Sequence, residues 1–181
     1  MTFSKSTLAS ALFVVALFFP TAILAENLTD PQENAVRSAK EYLNYQTFSR
    51  RGLIQQLSSS AGSKYSVAVA TVAVDSLHVD WKKEAVRSAK EYLNYQAFSR
   101  RGLIQQLSSR GGGRYSVAVA TVAVDSLHVD WKKEAVRSAK EYLNDHAFSC
   151  RGLIQQLSSR GGSGYTVVQA TYGAQQAGAC S

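Results

Sequence analysis

From Ala35 onward the apolar positions recur with helical spacing. Ala35, Ala39, Tyr42 and Leu43 fall at i, i+4, i+7 and i+8, with Arg37, Lys40, Glu41 and Asn44 off that stripe. The spacing predicts an amphipathic helix. Asp80 and Asp130 stand just before Trp81 and Trp131, where N-caps belong, so later copies of this helix are expected to begin there. A shorter second helix is expected after the cap candidates Ser49, Ser99 and Ser149. Leu53, Ile54 and Leu57 give it a small apolar face, and serine doublets and glycines stop it. The segment Tyr65 to Val74 reads two ways. Valine at alternate positions favours a strand. Ser66 as a cap, and Ala70, Ala73, Val74 and Leu77 at i, i+3, i+4 and i+7, favour a helix, which is the preferred reading.

The pattern is written three times. Residues 35–84 and 85–134 differ at five positions, Thr47/Ala97, Ser60/Arg110, Ala61/Gly111, Ser63/Gly113 and Lys64/Arg114. Four of these lie in a Gly/Ser-rich stretch that reads as a loop, where drift is tolerated. The third copy keeps Ala135 to Asn144 and Arg151 to Arg160 and departs after Tyr165. It lacks the Leu-His-Val-Asp-Trp link of Leu77–Trp81 and Leu127–Trp131, and an altered terminal unit is what a stacked array requires. The expected architecture is all-α, a tandem array of three small three-helix units. Its divisions are a leader over 1–25, a first unit with a short lead over 26–79, a second over 80–129 and a divergent third over 130–181. Asp80, Trp81, Asp130 and Trp131 mark the structural junctions.

Residues 1–25 carry one charge, Lys5, then an apolar run from Ala11 through Leu24 and a small residue, Ala25. That is the order of a secretory signal. An uncleaved anchor is the rival, disfavoured because Pro20 interrupts a run that needs about 20 apolar residues to span a membrane. The mature chain is therefore expected to hold no stable membrane span. Loss of Lys5 with the leader lowers the formal charge from +7 to +6, and a composition 45% apolar and 18% charged is that of a foldable chain. A basic exported protein suits anionic envelope components or an acidic protein partner, or is basic simply for solubility.

The two cysteines, Cys150 and Cys180, both lie in the third unit of a chain expected to reach an oxidising compartment. Cys150 stands where the other copies have Arg50 and Arg100, and Cys180 lies in a tail read as having no counterpart. Their joint appearance favours a disulfide that staples the terminal unit and takes no part in catalysis.

The string Phe48-Ser49-Arg50-Arg51-Gly52-Leu53-Ile54-Gln55-Gln56-Leu57, followed by Val79-Asp80-Trp81 and Ala85-Val86-Arg87-Ser88-Ala89-Lys90-Glu91-Tyr92-Leu93, resembles the repeat of the Ltp-type family of host cell surface-exposed lipoproteins. The likeness covers Ala35 to about Tyr165. It implies helix-turn-helix-like units in tandem, exposed outside the cytoplasmic membrane. It also implies a link to superinfection exclusion, in which an envelope protein stops an incoming phage from delivering its DNA. One departure matters. Ala25-Glu26 stands where a lipid-modified cysteine would follow the signal, so a periplasmic, secreted or cell-surface form without a lipid anchor is expected.

No enzyme signature is present, and no catalytic residue, metal or cofactor is expected. His78 and Asp80 supply two ligands where a metal site needs more. Gly111 to Gly113 and Gly161-Gly162 lack the strand and GK[ST] ending of a phosphate loop. Arg50, Arg51, Arg100, Arg101 and Arg151 recur at the start of the second helix, and Lys82, Lys83, Lys132 and Lys133 at the start of the first. Cations at a helix N-terminus oppose its dipole by a few tenths of a kcal/mol each, so these positions invite a search for partners. One reading is a stripe that binds an extended acidic partner with avidity; the other is solvated surface charge copied with the repeat. The expected function is a non-enzymatic, exported protein-binding repeat that contacts a phage or envelope protein. The alternatives are a nucleic-acid-binding array, disfavoured by the signal, and an envelope spacer with no dedicated ligand.

Overall fold

A computed structural model describes residues 28–180, and the leader over 1–25 lies outside them. Among the described residues the chain is all-helical, with three helices per unit. The first unit holds α1 (Asp30–Tyr45), α2 (Arg50–Ser58) and α3 (Val67–Ser76); the second, α4 (Trp81–Tyr95), α5 (Arg100–Ser108) and α6 (Val117–Asp125); the third, α7 (Trp131–Asp145), α8 (Cys150–Ser158) and α9 (Val167–Gln176).

The helices start where side chains replace missing backbone partners. Ser49, Ser99 and Ser149 Oγ accept from the Gly52, Gly102 and Gly152 amides at 3.0, 2.9 and 3.1 Å. Asp80 accepts from the Lys82 and Lys83 amides at 3.0 and 3.1 Å, and Asp130 does the same for α7. Each cap is worth about 1 kcal/mol.

The valine segment is a helix capped by Ser66, which accepts from the Val69 amide at 3.2 Å. Ala70, Ala73 and Val74 are buried, whereas Val67 and Val72 are exposed. The alternation that favours a strand therefore distributes valines to both sides of a helix, and the small alanines let α3 pack closely against α1 and α2.

Each unit has its own core. Leu53 and Leu57, Leu103 and Leu107, and Leu153 and Leu157 are fully buried at the three centres. A Tyr–Phe edge-to-face pair flanks each core, Tyr42–Phe48 and Tyr92–Phe98 at 6.0 Å and Tyr142–Phe148 at 5.9 Å. The cores are not closed by their own residues alone. Trp81, the first residue of α4, packs back on the first core, and Trp131, the first residue of α7, packs back on the second.

The third core is covered instead by Ala177, Ala179 and Cys180. Cys180 is joined to Cys150 across 30 residues, with a Cα separation of 4.8 Å. In the 50-residue register Cys180 does have counterparts, the caps Asp80 and Asp130. The tail therefore follows the course of the link before it diverges. Gly178 (φ 85°) likewise takes the left-handed position that His78 and His128 (φ 50° each) hold in the links. Finally, Gly173 replaces Ala73 and Ala123. A Cβ there would lie 2.6 Å from the Ala135 carbonyl oxygen, so α9 sits closer to α7 than an alanine allows.

Candidate functional site

The cations predicted as a stripe divide into two groups. Arg50 makes a two-point ion pair with Asp75, both contacts 2.6 Å, and Arg100 repeats it with Asp125 at 2.6 and 2.7 Å. The partner that the helix N-terminus calls for is thus found inside the unit, at the end of its third helix. The arginines hold both aspartate carboxyls below their ordinary pKa, and the bonds to the aspartates hold both guanidiniums above theirs. The third unit has Cys150 and Gln175 at these two places.

Arg51, Arg101, Arg151, Lys82, Lys83 and Lys133 are exposed and make no ion pair among the described residues. Lys132 lies over the Tyr172 ring, 5.4 Å from its centre. Asp80, Asp130, Trp81 and Trp131 are brought together at the links as caps and core covers. His78 Nδ1 contacts the Ser76 carbonyl oxygen at 2.8 Å. Among the described residues no three His, Cys, Asp or Glu side chains gather as metal ligands.

Sequence reasoning expects a stacked array but does not show which faces of successive units meet. The turn before α2 and the face of α2 meet α4 and the α5–α6 loop of the next unit, and the second and third units meet through the corresponding elements. Thr47 donates to Glu91 Oε2 at 2.7 Å across the first junction. Across the second, the Ala97 and Phe98 amides donate to Glu141 and Glu134 at 3.2 and 3.4 Å, and Arg137 donates to the Leu93 carbonyl at 3.1 Å. The junctions bury Tyr115 and Tyr165, while their counterpart Tyr65 stays half-buried. Burial pushes both phenol pKa values up, opposed by the neighbouring Ser88 and Ser138 hydroxyls.

Each junction leaves an open cleft. The first encloses about 610 Å³ between Gln46, Gln55 and Gln56 on one wall and Glu91, Tyr92 and Tyr95 on the other, with the loop Arg110–Arg114 along its edge. The second encloses about 360 Å³, has Asp145 in place of Tyr95, and is lined by no arginine. At each of the five positions that distinguish the first two units, one or both residues line a cleft. Thr47, Arg110, Gly111, Gly113 and Arg114 line the first, and Ala97 lines the second. The signal was in the sequence, as a clustering of differences, but nothing there shows that Thr47 and residues 110–114 face each other.

A family described as host cell surface-exposed lipoprotein matches the chain three times, over residues 30–77, 80–127 and 130–176. No curated protein and no solved structure matches it. Among the described residues no helix is long and apolar enough to cross a membrane.

Proposed function

The chain belongs to the family of host cell surface-exposed lipoproteins, and on that premise we propose that it is an exported, non-enzymatic array that binds another protein outside the cytoplasmic membrane and thereby obstructs phage DNA entry. The observation that carries this reading is the family match to all three units in tandem. Several equivalent surfaces at fixed spacing on one chain favour an extended partner, because weak contacts combine. The residues that face outward support binding: exposed cations along the first and second helices, and polar clefts at both junctions. Ala25-Glu26 after the apolar leader supports a form without a lipid anchor, periplasmic, secreted or held at the surface by its partner.

The test is to express the chain with its leader, locate the processed protein, and challenge the cells with a broad phage panel while scoring adsorption and DNA entry separately. Normal adsorption with blocked DNA entry is the expected result. Unchanged DNA entry throughout the panel would sink the exclusion reading.

A further inference from the structure

The two junction clefts differ in a way that the near-identity of the units makes informative. The geometry points to the first cleft as a docking site for an extended, carboxylate-bearing segment of a partner protein, a refinement that rests on the protein-binding reading above.

Gln46 and Gln55 reach this cleft and make no side-chain hydrogen bond among the described residues. A side-chain amide donates and accepts at once, which suits the alternating N–H and C=O groups of an extended main chain. Tyr95, 88% exposed, lies across from them as a flat aromatic surface. Arg110 and Arg114 sit at the edge in no ion pair among the described residues, and a guanidinium pairs with a carboxylate through two parallel bonds. The second cleft offers the opposite sign, with Asp145 and Glu141 and no arginine.

The pattern of substitution is an independent observation. Residues 35–84 and 85–134 are otherwise identical, yet all five differences fall where units meet, and two of them make the arginines of this cleft. Four of the five lie in one loop, and the fifth, Thr47, lies outside it and lines the same cleft.

The triple variant Tyr95→Asp, Arg110→Ser, Arg114→Gly tests the assignment without inventing local structure. Each replacement is already carried by a sister unit, at Asp145, Ser60 and Gly164, and Gly164 occupies the same left-handed conformation (φ 71°) as Arg114 (φ 57°). The probes are a capped octaglutamate peptide, a neutral Gly/Ser peptide of equal length, and polyphosphate of matched charge, followed by residue-resolved NMR on the full processed chain.

Octaglutamate is expected to give saturable shifts at Gln46, Gln55 and Gly111–Gly113. The variant, with an unchanged melting temperature, should bind it about tenfold or more weakly. Absence of saturable binding would overturn the assignment, as would shifts centred on Arg51, Arg101 or Lys82, polyphosphate binding as tight as octaglutamate, or undiminished binding by the variant. Phage challenge of cells carrying the variant separates the two levels. Retained exclusion would overturn the cleft and leave the protein-binding reading standing, whereas no exclusion by the unaltered chain would count against that reading itself.

Discussion

The second and third units carry the same helices but hold them shut differently. In the second, Arg100 at the start of α5 grips Asp125 at the end of α6, and Trp131 from the following unit covers the core. In the third, the arginine and aspartate are both gone, and a disulfide ties the start of α8 to a tail that occupies the tryptophan's place. The ion pair is about half exposed, so screening limits it to a few tenths of a kcal/mol up to about 1 kcal/mol. A covalent link closing a 30-residue separation is worth roughly 3 to 4 kcal/mol in the chain-entropy picture. The comparison teaches that a unit with a neighbour needs only a weak clasp, because the neighbour's tryptophan completes its core. A unit whose core is covered by its own tail must tether that tail.

The largest way to break the comparison is to open the bridge. Cys150→Ala with Cys180→Ala should cost the third unit about 3 kcal/mol. The check is thermal unfolding with and without reductant: reductant should lower the unfolding transition of the unaltered chain and leave that of the variant in place. Next in size is Trp131→Ala, a substitution in the third unit that should destabilise the second by about 2 kcal/mol, since the ring is only partly buried there. Unit-resolved hydrogen exchange would show faster exchange in α5 and α6.

A smaller effect distinguishes packing from local propensity. Alanine is favoured over glycine within a helix by about 1 kcal/mol, yet Gly173→Ala should destabilise the third unit by about 1 kcal/mol. Its Cβ meets the α7 backbone at Ala135, which cannot yield as a side-chain tip could. Denaturant unfolding decides the sign. The smallest effect is acid loss of the ion-pair clasps. Asp75 and Asp125 have depressed carboxyl pKa values in the folded chain, so their contribution is present above the unfolded value near 3.9 and disappears as pH falls through the folded one. Acid should therefore remove a few tenths of a kcal/mol from each of the first two units. It should leave the third unit's clasp unchanged, and Arg100→Met should abolish that loss in the second unit.

Much of the fold was legible because its determinants are local. Ser49, Ser66 and Asp80 announce helix starts through bonds that span two or three residues, and Ala70, Ala73 and Val74 reveal a buried helical face despite the strand-like valines. What escaped depends on distant pairing. Arg50 and Asp75 lie 25 residues apart, so the arginine reads as a free cation until the fold closes. Thr47 and Glu91 lie 44 apart, so nothing marks Thr47 as a contact residue until the units stack. Periodicity identifies the repeated unit but does not show which faces of successive units touch, and the clefts are made of those faces.

Residue-resolved hydrogen exchange by NMR, with and without reductant, tests the division between weakly clasped and covalently closed units most directly. Reduction should lower protection at Leu153 and Leu157 and through α9, while Leu53, Leu57, Leu103 and Leu107 keep theirs. Equal loss in all three units, or no loss in the third, would contradict it.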